Sequence, residues 1–259
     1  MLSVETCATI DDAARAMGSN ARYLAGGTLV MRAVTYGDQS FDRIVRAQHV
    51  DRQIGADGAG LRIGAGATMT DVLGARELEF LHPVARVIGG PAIRNMATVG
   101  GNLFAPNPYG DFATALLALD ASVTMAGGQT QPIATLLASR DRFGGLVTAI
   151  TLPRVETGSF RFRKVSRVKP KGVSVMSIAV CLKRSDPRVA FGNMGSTPLR
   201  APAAERALAV GVNDASITAA AAACLDGLQP EDDPLSSAWY RREVAPVHLR
   251  RLLENGGPR

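Results

Sequence analysis

Cysteine is scarce in this chain. Cys7, Cys181 and Cys224 are the three in 259 residues, too far apart for a CxxC or CxxxC ligand set. An iron–sulfur cluster or structural zinc held by this chain alone is thereby excluded, and any redox chemistry must use an organic cofactor. Three dispersed cysteines suit a reducing compartment, each as a small core residue. Histidine is equally sparse: His49, His82 and His248 share no motif with a carboxylate or cysteine, so no catalytic set stands out. No stretch approaches the ~18 apolar residues that cross a bilayer, and Met1 to Thr6 lacks a basic segment leading into an apolar run, so a cytoplasmic protein without a membrane span is expected. The net charge of +6 is not concentrated; Arg161-Phe162-Arg163-Lys164 and Arg250-Arg251 are only short basic groups. That distribution fits a solvated surface, an anionic cofactor or an acidic partner protein, and nucleic acid is not expected.

Apolar residues make up 46% of the chain, ample for two or three compact lobes. Glycine and proline fall at punctuating positions, and there is no internal repeat. Ile10 to Met17 reads as a helix opened by Asp11-Asp12, Arg22 to Ala25 as a strand running into Gly26-Gly27, and Arg43 to Val45 as another strand. Asp57-Gly58 between Ile54-Gly55-Ala56 and Leu61-Arg62-Ile63-Gly64 is a hairpin signal, because both turn residues tolerate positive φ. Thr70 is the expected N-cap of a helix from Val72 to Leu78. Gly89 to Asp111 holds so many Gly, Pro and Asn residues that it reads as one long ordered loop, a kind of segment that is usually functional. Phe112 to Leu119 then forms an apolar helix, and Val123 to Ala126 and Val147 to Leu152 form strands. Beyond Pro153-Arg154, strands are expected at Phe160 to Val168, Ser174 to Lys183 and Arg188 to Asn193, with helices at Ala201 to Ala209, Ser216 to Leu225 and Trp239 to Leu253.

Two glycine pairs stand where backbone could meet a ligand, in Ala25-Gly26-Gly27-Thr28 and in Thr98-Val99-Gly100-Gly101-Asn102. A Gly-Gly pair leaving a strand removes two Cβ atoms, so an anion can touch the backbone and accept from consecutive N–H groups. Two such clamps suit a diphosphate. Neither loop reads GxxxxGK(S/T) or GxGxxG, so a Walker-type ATP site and the usual Rossmann fingerprint are not indicated. A single Gly-Gly turn is most often only a tight turn; the pair, with Asn102 and Asp111, is more informative.

At these residues the sequence resembles the FAD-binding medium subunits of the xanthine dehydrogenase and aerobic carbon monoxide dehydrogenase group of molybdenum hydroxylases. Leu24-Ala25-Gly26-Gly27-Thr28-Leu29 resembles that family's first flavin loop, and Ile93-Arg94-Asn95-Met96-Ala97-Thr98-Val99-Gly100-Gly101-Asn102 its second. Ile63 to Val72 resembles its IGAxxTxxD segment, and Pro106 to Asp111 with Leu116 to Ala121 follow in the family order. The likeness continues through Phe162 to Arg167, Gly195 to Ala201 with Glu205, and Ser237-Ala238-Trp239-Tyr240-Arg241, so it covers nearly the whole chain.

The resemblance implies an α+β fold: a two-lobed FAD-binding domain of the PCMH type over residues 1–155, with lobes of about 1–52 and 53–155, then a C-terminal domain of the carbon monoxide dehydrogenase flavoprotein type over 156–259, with a three-stranded antiparallel sheet and helices. It further implies that Tyr23, Leu24, Ala25, Gly26, Gly27, Thr28, Leu29 and Val30 wrap the FAD diphosphate. Ala97, Thr98, Gly100, Gly101 and Asn102 close from the other side, and Asp111 accepts a hydrogen bond from a ribose or adenine group. The plain alternative for Asp111 is an N-cap for the helix at Phe112. Ile88, Val147 and Lys164 match positions near the flavin, where Ile88 could equally be core and Lys164 a surface strand residue. Two departures from the family pattern are Gly144-Gly145 in place of a carboxylate and Val168-Lys169-Pro170-Lys171 in place of a second Arg and an acidic residue; the second bears on acceptor access and redox tuning, because that segment lies near the flavin ring in relatives.

No catalytic side chain and no metal ligand is expected, because the flavin ring carries the redox chemistry. Partners implied are a small subunit with [2Fe-2S] clusters and a large molybdopterin subunit, in a heterotrimer paired into a dimer of trimers, plus an external electron acceptor. Substrate hydroxylation, with an N-heterocycle among the candidate substrates, belongs to the large subunit. The basic stretch Arg161 to Lys171 is a candidate for the contact or acceptor face. The alternatives are a stand-alone FAD-dependent oxidase of the vanillyl-alcohol-oxidase type and a non-catalytic nucleotide-binding protein.

Overall fold

The structure, a computed structural model, describes residues 2–58, 60–168, 172–183 and 186–254. The chain begins with β1 (Ser3–Cys7), α1 (Ile10–Ala16), β2 (Ala21–Tyr23), α2 (Val30–Thr35) and β3 (Arg43–Ala47). The strands form a parallel sheet in the order β1-β3-β2. Parallel neighbours need crossover connections, which α1 and α2 provide. Thr9 caps α1 in a reciprocal box with Asp12, and the small core beneath it joins Ala13, Ala21, Val45, Ala47 and Leu146. Strand β1 is an addition to the elements expected from the sequence; four of its five residues are exposed, so hydrophobic alternation gave no sign of it.

The next segment holds β4 (Ile54–Asp57), β5 (Gly60–Gly64), α3 (Met69–Gly74), α4 (His82–Arg86), α5 (Pro91–Arg94), α6 (Val99–Leu103), α7 (Asp111–Ala118), β6 (Ser122–Met125), β7 (Thr130–Pro132), α8 (Ile133–Ser139) and β8 (Val147–Leu152). Its five strands form an antiparallel sheet in the order β4-β5-β8-β6-β7. The hairpin at Asp57-Gly58 is present, with Gly58 at φ +56°. Helix α7 is buried along its full length, with Phe112, Leu116 and Leu119 inside the largest core.

Two expectations for this segment change. The helix beginning near Thr70 is capped by Thr68, whose hydroxyl accepts from Asp71 N–H while Asp71 accepts from Thr68 N–H. Thr70 donates instead to Asn95 Oδ1 at 2.7 Å. The stretch from Gly89 to Asp111 is not wholly irregular, since α5 and α6 lie within it. Pro91 opens α5, where its missing N–H costs nothing, and Thr98 caps α6.

The last part contains β9 (Phe160–Val165), β10 (Met176–Cys181), β11 (Arg188–Gly192), β12 (Leu199–Arg200), α9 (Pro202–Leu208), α10 (Asp214–Ala223) and α11 (Ala238–Glu254). The three expected strands pair antiparallel, and the two-residue β12 adds a fourth at the edge, in the order β12-β11-β10-β9. Every residue of β10 is buried. Alternation sends Met176, Ile178 and Val180 into a core with α9, α10 and α11, and Ala179 and Cys181 into the core that holds α7. At about 1.5–3 kcal/mol for each large aliphatic side chain, this double burial fixes β10 as the sheet's centre.

Helix α7 thus belongs to both halves of the molecule, and polar bonds follow the same seam. Arg140, 9% exposed, donates to Ala105 O and Ser196 O, each at 3.0 Å. Asn107 Nδ2 donates to Gly195 O at 2.7 Å, and Arg188 pairs with Asp120. Within the last part of the chain, Arg241, 1% exposed, donates to the carbonyls of Val175, Glu231 and Ser236 and pairs with Asp233. The sequence Trp239-Tyr240-Arg241 thereby gains a structural account at its arginine.

Candidate functional site

A cavity of about 1400 Å³ lies where the three sheets meet. It is larger than the ~300–1,000 Å³ of ordinary ligand sites. Every residue assigned to the cofactor from the sequence lines it: Tyr23 to Val30 on one side, Ala97, Thr98, Gly100, Gly101 and Asn102 on the other, and Ile88, Asp111, Val147 and Lys164 between. The structure brings all of them together, although they come from segments far apart in the chain.

The first loop has the form expected of a backbone anion clamp. Leu24 N–H donates to Val45 O at 2.8 Å and so continues the β2–β3 ladder. From Ala25 through Val30, no N–H donates to another group among the described residues. Gly27 sits at φ +73°, a conformation that glycine alone adopts freely. Gly26 answers to a different constraint: a Cβ there would lie 1.7 Å from the Met96 carbonyl oxygen. That contact is where the two glycine loops touch.

The second loop differs from the expected clamp. Val99 N–H donates to Ala67 O at 2.8 Å, Gly100 N–H to Ala65 O at 2.9 Å, and Gly101 N–H to the capping Thr98 hydroxyl at 3.0 Å. Consecutive free N–H groups are absent here, because the loop adds a short bridge to the turn after β5 before entering α6. Gly100 is needed for this approach, as a Cβ would stand 2.8 Å from Ala65 Cβ. Gly101 is a helical residue outside the positive-φ set. What remains to offer a ligand is the Thr98 N–H, which has no partner among the described residues, the Thr98 hydroxyl proton and the small surface of Ala97 and Gly101. Asn102 is also occupied: Nδ2 donates to Tyr109 O at 3.1 Å and Oδ1 accepts from Phe112 N–H at 3.1 Å, which fixes the Pro106–Gly110 turn against α7.

Asp111 is the first residue of α7; Gly110 holds the N-cap position without a side-chain bond. The carboxylate, 4% exposed, accepts from Ser174 Oγ at 2.6 Å and pairs with Lys164 Nζ at 3.2 Å. Lys164 Nζ also donates to Val87 O at 3.0 Å, so it is no surface strand residue. Ile88 and Val147 are both buried, and they give the cavity an apolar wall. Burial pushes the Tyr23 hydroxyl pKa up, against a lowering bond with the Ala47 backbone.

Three features escaped the sequence reading. Ser174 and Asn193 complete the Asp111 cluster from just outside β10 and β11, and their polar types at the ends of two apolar strands were the available signal. Arg32 donates to the Tyr109 hydroxyl at 2.6 Å and lies over the Tyr36 and Tyr109 rings, joining α2 to the opposite side of the cavity mouth. The basic stretch from Arg161 is partly spent inside the chain: Arg161 Nη1 donates to Leu252 O and Leu253 O at the end of α11, and Lys164 is paired. Lys169 and Lys171 lie outside the described residues.

Residues 1–155 match the family described as the FAD binding domain in molybdopterin dehydrogenase, and residues 162–255 match the CO dehydrogenase flavoprotein C-terminal domain. The chain belongs to this flavoprotein family. It is 27% identical over 266 residues to the carbon monoxide dehydrogenase medium chain of Afipia carboxidovorans, covering 94% of this chain and 91% of that one. Identity to the putative xanthine dehydrogenase FAD-binding subunit of Escherichia coli K12 is 28%, over 97% and 94% of the two chains. In fold it is similar to a chain of carbon monoxide dehydrogenase from Hydrogenophaga pseudoflava, with a TM-score of 0.86, 23% identity and coverage of 97% and 96%. A chain of quinoline 2-oxidoreductase from Pseudomonas putida 86 gives 0.85 at 19% identity, over 99% and 96%. The chain is therefore an FAD-binding medium subunit of the molybdenum hydroxylase group, and FAD is its cofactor.

The cavity fits that cofactor on its own features: a run of unpartnered N–H groups for a diphosphate, apolar walls for flat rings, and a volume above that of a mononucleotide site. Among the described residues no group of His, Cys, Asp and Glu could hold a metal ion, and no helix is long and apolar enough to cross a membrane.

Proposed function

We propose that this subunit holds one FAD in the 1400 Å³ cavity and serves as the electron relay between a separate [2Fe-2S] subunit and an external acceptor. The single observation that carries the placement is the first loop, where Ala25 to Val30 line the cavity and their N–H groups have no partner among the described residues. In this reading those groups, with the Thr98 hydroxyl, hold the diphosphate. Ile88 and Val147 provide apolar contact for a ring and exclude water from it, and Asp111 and Lys164 present fixed opposite charges. Bound there, FAD supplies reversible two-electron redox chemistry; the protein supplies position and electrostatics.

The remaining assignments belong to the same proposal. The boundary between the FAD-binding domain and the C-terminal domain falls near residue 155, between β8 and β9. Hydroxylation occurs on a large molybdopterin subunit, with an N-heterocycle as the proposed substrate class; one relative is named as a subunit of 6-hydroxypseudooxynicotine dehydrogenase of Paenarthrobacter nicotinovorans. The assembly is a heterotrimer closed into a dimer of trimers, and its location is cytoplasmic. A stand-alone oxidase needs a substrate domain, and residues 162–255 match the flavoprotein C-terminal domain instead.

The test is a titration of apo-protein with FAD and FMN, followed by assay of the purified chain. FAD should bind much more tightly than FMN, which lacks the adenylate and second phosphate. The chain alone should oxidise no heterocycle, aldehyde or carbon monoxide. Equal affinity for the two flavins would refute the diphosphate site, and substrate-dependent bleaching by the isolated chain would refute the relay.

A further inference from the structure

Asp111 and Lys164 are the charged pair buried at the cavity wall, and neither is held by the FAD-binding lobes alone. Asp111 Oδ1 accepts from Ser174 Oγ at 2.6 Å, and Oδ2 pairs with Lys164 Nζ at 3.2 Å. Lys164 lies on β9, and Ser174 stands just before β10. Ser174 is 0% exposed and does not itself line the cavity. Its place is fixed from behind: Asn193, in the left-handed conformation at φ +62°, donates Nδ2 to the Ser174 carbonyl at 2.7 Å. The next residue, Val175, gives its carbonyl to the buried Arg241 at 3.0 Å.

A buried carboxylate with one oxygen unsatisfied turns to find a second donor. Here the donor already on the other carboxylate oxygen is Lys164, which is shared between Asp111 and Val87 O. Without the Ser174 hydroxyl, Asp111 would draw on Lys164 with both oxygens and pull it from Val87, which adjoins the wall residue Ile88. We propose that Ser174 is a positioning residue for the cofactor: its hydroxyl fixes the rotation of the Asp111 carboxylate and thereby holds Lys164 in place at the cavity wall. The inference rests on the reading that this cavity binds FAD.

The experiment is a flavin-fluorescence titration of the full-length apo-protein with FAD, comparing wild type, Ser174→Ala, Asp111→Asn and the double variant. Ser174→Ala should weaken FAD binding roughly 10-fold, the scale of one hydrogen bond to a charged group. The double variant should bind no more weakly than Asp111→Asn, because the hydroxyl acts through that carboxylate. The rise in melting temperature on adding FAD should shrink in Ser174→Ala, a change that a purely structural serine would not cause. Should Ser174→Ala fail to fold, Asn193→Gly keeps the left-handed backbone, removes the amide behind Ser174, and should also weaken FAD. Wild-type affinity in Ser174→Ala, or in Asn193→Gly where that variant stands in, beside a weakened Asp111→Asn overturns the proposal alone; so do losses that add in the double variant. Wild-type affinity in Asp111→Asn overturns the flavin reading of the cavity and the proposal with it.

Discussion

Replacing Gly26 with alanine asks which glycine the site depends on most. The added Cβ would stand 1.7 Å from the Met96 carbonyl oxygen and 2.7 Å from its carbon, and both are backbone atoms. To reach an ordinary contact of 3.4 Å the two loops must part by about 1.7 Å. That displacement carries the unpartnered N–H groups of Ala25 and Gly27 out of hydrogen-bond range of any phosphate held against Thr98. Each charge-assisted bond lost is worth roughly 1.5–3 kcal/mol, so one or two give a loss of about 10- to 10⁴-fold in FAD affinity. Gly101→Ala makes the contrast. Its Cβ meets only the Thr98 hydroxyl at 2.8 Å and Ala25 Cβ at 3.8 Å, so the expected cost is a weakened cap of about 1 kcal/mol. Calorimetric titration of both apo-proteins, with circular dichroism to confirm folding, measures the difference. Wild-type FAD affinity in Gly26→Ala, or a larger loss in Gly101→Ala, would show that contact between the loops does not set the site.

Gly101→Val should lose FAD more severely than Gly101→Ala, because the branched side chain projects between Thr98 and Ala25; flavin retained per mole of purified protein reads this directly. The Asp71 carboxyl feels burial, which raises its pKa, but bonds from Thr68 N–H, the Arg52 guanidinium and the Thr68 hydroxyl outweigh it and hold it below the usual carboxylate range. A lowered folded-state pKa adds stability that is present above the unfolded value near pH 4 and lost as pH falls through the folded value. Asp71→Asn should therefore lower stability at pH 7 by about 1 kcal/mol and flatten its decline below pH 4, as chemical denaturation across that range would reveal. Arg241→Met should destabilise the protein by about 3–5 kcal/mol, since it strands Asp233 and three backbone carbonyls together; an unchanged melting temperature would refute that role.

Much of the fold was legible where side-chain period and turn chemistry agree. The Asp57-Gly58 hairpin and the apolar run of β10 needed no tertiary information, and the helices after Leu199 were placed within about two residues of their ends. Strand β7 was missed because Thr130-Gln131-Pro132 carries no alternation and pairs only at a sheet edge. Thr70 and Thr68 are equally good caps by composition; only the reciprocal bond with Asp71 separates them. Which loops line the cavity was readable from the sequence, but the state of their N–H groups was not. Whether Gly100 offers its N–H to a ligand or to Ala65 depends on the register between two segments 35 positions apart, which no local pattern encodes. Ser174 stood out only as a polar residue at a strand end, and its role was unreadable for the same reason: its partner lies 63 positions away.

The seam along α7 has a consequence for how the protein is made. A chain that has left the ribosome only as far as Leu152 already carries both glycine loops, yet it lacks Lys164 and Ser174, the two groups that hold Asp111. The Pro106–Gly110 turn likewise lacks, in such a chain, the Gly195 carbonyl that accepts from Asn107. The cofactor cavity is therefore a joint product of both halves of the chain, and a truncation at Leu152 would leave Asp111 without either side-chain partner.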